Sequence, residues 1–247
     1  MYTQTYKMAD RIIAVSSIYE KVHHYCKDYT CEGTPDFGVS ISQSDITYER
    51  EKSRREYEFE GLKYPDFTDA DLETTAVYRK IAEAMPSFDT IVFHGSVIAV
   101  DGEAFLFTAK SGTGKSTHTR LWRELFGERA VMVNDDKPLL RVTDTSVIAY
   151  GSPYNGKHHI GCNMSAPLKG VCILNRGQEN TISRISKAQA YPMLMQQVYR
   201  PQDGAQLAKV LKLIDRLSQN TGLYSLRCNM DISAARVAYE GMKGANL

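Results

Sequence analysis

The run Ala109-Lys110-Ser111-Gly112-Thr113-Gly114-Lys115-Ser116-Thr117 has the residue types and the order of a phosphate-binding loop. Gly112 and Gly114 allow a turn tight enough for several N–H groups to converge on one anion. Lys115 brings a mobile positive charge to terminal phosphates. Ser116 offers a hydroxyl to a magnesium ion, and the helix that must follow adds its positive end. Ser111, Thr113 and Thr117 complete the cradle. In the general pattern G-x-x-x-x-G-K-[ST] the first glycine is here Ala109. A Gly/Ser-rich turn ahead of a surface helix would account for Gly112 and Gly114. It would not account for Lys115 and Ser116 placed directly after them. The expected ligand is a nucleoside triphosphate, ATP, with Mg2+.

This chemistry needs a strand before the loop and a helix after it. Ala104-Phe105-Leu106-Phe107-Thr108 is a short apolar run of strand composition. Ser116 to Phe126 reads as a helix with Leu121, Trp122 and Leu125 on one side. Ala130-Val131-Met132-Val133-Asn134 is a second buried strand, and it ends in Asp135-Asp136. An acidic residue at the tip of such a strand is where a P-loop protein holds its metal. On its own an Asp-Asp pair is more often a turn.

The 247 residues suffice for one large domain or two small ones, and 43% hydrophobic content is ordinary for a packed core. Thirty Lys and Arg against 29 Asp and Glu give a net charge of +1. That balance gives no reason to expect nucleic-acid or acidic-membrane binding. No apolar run is long enough to span a bilayer, and the first residues lack the apolar stretch of a signal peptide. Five cysteines without a C-x-x-C pair fit a reduced, cytoplasmic protein. The clusters His23, His24, Cys26, Cys31 and His158, His159, Cys162 lack the spacing of a structural zinc site.

Residues 1 to about 65 read as polar and β-rich, with strands at Arg11–Val15 and Gly38–Ser42. The charged stretch Glu49–Glu60 reads as a solvated hairpin. A helix is expected over Asp69–Met85, capped by Thr68 or Asp69 and followed by Pro86. Strands follow at Ile91–His94 and Ser96–Val100, with Asp101-Gly102 as a hairpin turn into the strand before the loop. Reaching that strand through a hairpin, not a crossover helix, argues for a mixed sheet. Further strands are expected at Leu139–Val142, Ser146–Tyr150, Val171–Leu174 and Leu223–Cys228. Helices are expected at Lys187–Tyr199, interrupted at Pro192, at Ala205–Gln219, and at Ile232–Met242 with Asp231 as cap. The division suggested is a β-rich region with one helix over 1–88 and a nucleotide-binding α/β domain over 89–247.

Three features together, His94-Gly95, the hairpin Val97–Phe107 leading into Ser111-Gly112-x-Gly114-Lys115-Ser116, and the strand ending in Asp135-Asp136, resemble the catalytic domain of HPr kinase/phosphorylase. That domain shares its nucleotide site with the phosphoenolpyruvate carboxykinases. The resemblance covers about residues 90 to 140 well and the C-terminal part more loosely. It implies an α/β fold with a mixed β-sheet, a P-loop and flanking helices. It also implies that His94 lies beside a catalytic aspartate, that Lys115 and Ser116 serve phosphate and magnesium, and that Asp135 and Asp136 are base and metal ligand. On the residues alone, His94 reads as a core histidine bonded to a carbonyl. The Glu-containing E-x-R-G signature of HPr kinases is absent. Ser152-Pro153-Tyr154-Asn155-Gly156-Lys157-His158 stands in its place and carries no carboxylate.

The reaction implied is phosphoryl transfer from ATP to a hydroxyl acceptor, a protein or peptide serine or a small molecule. Asp135 is expected as base and Asp136 as metal ligand, although the two roles can be exchanged. Lys157 either supplies a missing charge at the phosphates or is solvated. Arg200 either reaches the transferred group or is a surface residue before a turn. An ATPase or a non-catalytic nucleotide-binding regulatory module is the alternative.

Overall fold

A computed structural model of the chain describes residues 1–156 and 158–244. They form two compact units, Met1–Ala84 and Met85–Leu247.

In the first unit β1 (Tyr2–Met8) and β2 (Arg11–Ser17) make an antiparallel hairpin, and β3 (Phe37–Ser40) joins β2 in parallel. The short α1 (Lys21–Tyr25) follows β2, and the long α2 (Gln43–Phe59) and α3 (Asp69–Ala84) complete the unit. The expected hairpin at Glu49–Glu60 is therefore corrected to helix. That stretch has no β-branched residue, and Glu, Lys and Arg are good helix formers. A capping box from Ser42 and Asp45 starts the helix. Its charges are not all solvated. Glu49 is buried and is bound by Arg79 of α3, which also faces Asp45 at 3.5 Å. The region is thus less β-rich than its sequence suggested. Strand β1 escaped the reading because only Tyr6 and Met8 of its seven residues turn into the core.

The second unit runs β4 (Thr90–Val92), β5 (Ser96–Val100), β6 (Glu103–Thr108), α4 (Lys115–Phe126), β7 (Ala130–Asn134), β8 (Leu139–Val142), β9 (Val147–Tyr150), β10 (Ser165–Arg176), β11 (Thr181–Arg184), α5 (Lys187–Gln197), α6 (Gly204–Asn220), β12 (Gly222–Cys228) and α7 (Ser233–Lys243). Its nine strands form one mixed sheet in the order β4-β8-β9-β10-β6-β5-β7, with β12 also on β10 and β11 on β12. Strand β10 holds the sheet together. Its first residues pair antiparallel with β9, and the rest lies parallel between β6 and β12. The expected strand Val171–Leu174 is only its middle, because Pro167 and Gly170 hid the remainder and a bulge separates Leu168 from Gly170.

Alternation along β5 and β6 sorts two apolar layers. Val97, Ala99 and Leu106 face Leu194 of α5 and Leu213, Ile214 and Leu217 of α6. Ile98, Val100, Phe105 and Phe107 face Leu121 and Trp122 of α4 and Ala234, Ala235 and Ala238 of α7. Helices thus cover both faces of the sheet. Asp101 and Gly102 adopt the positive φ values (52° and 82°) of a tight β5–β6 hairpin, as expected. Pro192 does not interrupt α5, although it stands sixth of the helix's eleven residues and forfeits a backbone bond there. The N-cap of α7 is Ile232 and not the expected Asp231, whose carboxylate accepts the Ser233 N–H at 2.8 Å from one position further out. No helix among the described residues is long and apolar enough to cross a membrane.

Candidate active site

Strand β6 delivers the Gly-rich loop at the end of the sheet. Gly112 and Gly114 hold φ values of 73° and 120°, where a side chain would be strained. Gly114 is the N-cap of α4, and no side chain caps the helix. The first amides of α4 are therefore open to an outside acceptor. Arg176 at the end of β10 donates to the carbonyl of Gly112 at 2.5 Å, and Thr113 Oγ1 donates to the carbonyl of Lys110 at 2.8 Å. These bonds engage loop carbonyls, and the Thr113 N–H is bonded to the Lys110 carbonyl at 3.2 Å. Ser111, Gly112 and Ser116 are exposed, and Thr113, Lys115 and Thr117 are half-buried.

Strand β7 delivers the two aspartates, and Asn134 shapes their turn. Its Oδ1 accepts the backbone N–H groups of Asp136 and Lys137 at 2.8 and 2.7 Å, and its amide donates to Ser152 Oγ at 3.1 Å. The turn sends the two carboxylates to different surroundings. Asp135 is buried, and its Oδ1 accepts the Ser96 hydroxyl at 2.8 Å. It borders a groove with Ser116. Asp136 is half-buried. Its Oδ1 lies 3.3 Å from His94 Nε2 and 3.7 Å from Lys137 Nζ. His94 thus meets Asp136 and not Asp135. Burial, with repulsion from Lys137 and Lys115, pushes the His94 imidazole down to about 4. It is neutral at neutral pH, so its approach to Asp136 is not an ion pair. Burial also lowers the Lys115 ammonium below the usual lysine value, opposed by Asp136 and Asp135 and aided by Lys137. Lys115 is therefore within electrostatic reach of both carboxylates.

Two hollows border α4. A cleft of about 530 Å³ lies beside Gly112, Thr113 and Gly114 and is walled by Leu121, Leu174 and Met230. A groove of about 290 Å³ lies beside Ser116, Asp135, Arg120, Arg123 and His158. Arg200 is exposed in the turn after the bridge between Val198 and Phe93, and no described contact ties it to the loop. Lys157 lies outside the described residues. No group of three or more His, Cys, Asp or Glu among the described residues is placed to hold an ion. The five cysteines are free thiols. Sequence reasoning missed Ser96, Asn134, Lys137 and Gln197, whose backbone carbonyl accepts the His94 N–H at 2.8 Å. Asn134 and Lys137 flank the aspartates in N-D-D-K, and that run was the available signal. Ser96 and Gln197 carried none.

A mixed sheet covered by helices, with a Gly-rich loop, a lysine and paired carboxylates at one end, defines the class as an α/β protein. The family profile of SynChlorMet cassette protein ScmC matches residues 69–231, and the chain belongs to that family. The solved Hpr(Ser) kinase/phosphatase from Coxiella burnetii is a distant likeness, with a TM-score of 0.35 and 10% identity over 62% of this chain and 99% of that one. No curated protein matches.

Proposed function

We propose that the chain is a kinase that transfers the terminal phosphoryl group of ATP to a hydroxyl acceptor. The observation that carries this reading is the convergence of Lys115 and the uncapped start of α4 with two differently held carboxylates. Residues 109–117 are read as the phosphate-binding loop, with the base in the apolar cleft beside Gly112 and Leu121. Oxygen donors suit Mg2+, which binds proteins through one or two carboxylates plus substrate phosphates. Ser116 and Asp135, which border one groove, would hold it. When bound, the ion neutralises charge on the phosphate oxygens.

The two aspartates exchange the roles that their order in the sequence suggested. Asp135 faces Ser116 and suits the metal. Asp136, oriented by the neutral His94, suits the base. Both described contacts of Asp136 fall on Oδ1. Oδ2 is then the atom that takes the acceptor proton as the oxygen–phosphorus bond forms and the bond to the ADP oxygen breaks. Lys115 offsets the charge on the transferred group. Catalysis in such a site is mainly positioning and electrostatics.

The test is incubation with Mg2+ and γ-labelled ATP in the presence of peptides, serine or sugars. Label on an acceptor hydroxyl supports the reading. Label released only as inorganic phosphate supports an ATPase, and binding without turnover supports a regulatory module. Either of those outcomes overturns the kinase reading.

A further inference from the structure

The geometry points to an acceptor subsite along α4, in which Arg123 anchors the acidic residue of a hydroxyl-bearing peptide. This rests on the phosphoryl-transfer reading of the same site. Successive residues of an α-helix are turned by about 100°. Gly114, Thr117, His118 and Leu121, which border the apolar cleft, therefore share one face of α4. Ser116, Thr119, Arg120 and Arg123, which border the groove, share the opposite face. A nucleotide with its phosphates at the start of α4 and its base in the cleft leaves the groove to the acceptor. One end of the groove is Ser116 with Asp135, where the transferred group would lie.

Beyond Asp135 the charges bordering the groove are of one sign, from Arg120 and Arg123. Arg120 is already occupied by Glu124. Arg123 has no acidic partner among the described residues, and its Nε is buried without a hydrogen-bond acceptor. An unsatisfied buried N–H on a cation is costly, and a carboxylate satisfies a guanidinium with paired bonds. The length of the groove narrows the ligand. Ser116 and Arg123 are seven positions apart, about 10 Å along the axis at 1.5 Å per residue. A small hydroxy acid is too short to span that distance. An extended peptide advances about 3.3–3.6 Å per residue, so its hydroxyl and its acidic side chain lie about three residues apart.

The test is titration calorimetry on the full chain with MgADP present. The probes are tetrapeptides with serine and aspartate at opposite ends, in either order, their asparagine counterparts, and glycerate. One aspartate peptide is expected to bind about tenfold more tightly than its counterpart, the scale of one charge-assisted pair of bonds. Arg123→Gln is expected to abolish the difference, Arg123→Lys to keep part of it, and both to leave MgADP affinity unchanged. Equal binding of the paired peptides overturns the subsite, as does a preference that survives Arg123→Gln, or glycerate binding that depends on Arg123. The two readings fail separately. Arg123-dependent peptide binding without phosphate transfer keeps the subsite and sinks the kinase. Transfer that is indifferent to both aspartate and Arg123 keeps the kinase and sinks the subsite.

Discussion

Lys115, Asp135 and Asp136 differ in what holds them, and their variants should differ accordingly. Lys115→Ala is expected to weaken ATP binding or abolish turnover while leaving the fold intact, because Lys115 opens α4 and is not part of the apolar core. Equal ATP affinity by calorimetry together with unchanged turnover would count against the phosphate-loop reading. Asp136→Asn is expected to slow transfer by about 10²–10⁴-fold with little loss of ATP affinity, the usual range for a general base. Asp135→Asn should instead raise the magnesium concentration needed for half-maximal rate. If the two phenotypes are reversed, the roles revert to those suggested by the sequence. Because His94 stays neutral down to about 4, the rate profile should lack a histidine limb near its ordinary value of 6.5. An inflexion there that disappears in His94→Gln would refute a neutral His94. The residues of this site were legible because a loop with Gly112, Gly114, Lys115 and Ser116 needs no distant partner to be recognised. The different setting of each aspartate was not legible. It depends on Ser96 and His94, which reach them across the sheet from sequence positions about 40 residues away.

At the scale of the element, α4 carries the most consequence in few residues. Its buried face holds Trp122, whose Nε1 donates to His118 Nε2 at 3.0 Å. That bond leaves His118 neutral with its proton on Nδ1, and burial pushes the imidazole down to about 4. The sign follows from linkage. The unfolded chain binds a proton near 6.5 and the folded chain only near 4, so stability is full above 6.5 and falls as pH drops towards 4. The loss from His118 alone is up to about 3 kcal/mol. Denaturation midpoints measured from pH 7 to pH 4 should fall, and His118→Phe should flatten that fall even if it lowers stability throughout. An equally steep decline in the variant would place the acid sensitivity elsewhere. The spacing of Leu121, Trp122 and Leu125 announced α4, and Asp101-Gly102 announced the hairpin before it. The sequence did not disclose α2, where charged residues that suggested a surface ribbon are partly buried against α3, nor the full length of β10, which carries its own proline and glycine.

At the scale of the molecule, each unit has a core of its own. Tyr6, Ile13, Val15, Val22, Ile46, Leu72, Val77 and Ile81 are all at most 3% exposed within Met1–Ala84. A unit with its own core can fold alone. The isolated fragment 1–84 is expected to melt cooperatively by far-ultraviolet circular dichroism, and a featureless, gradual melt would refute its independence. The single tryptophan of the chain belongs to the other unit, buried among Phe105, Phe107, Phe126 and Tyr239 and one position before Arg123. Nature has thus supplied an optical label that needs no engineering. Indole emission follows only the half of the chain that carries the Gly-rich loop, while circular dichroism follows both halves. Loss of one signal ahead of the other during denaturation would show directly which half yields first.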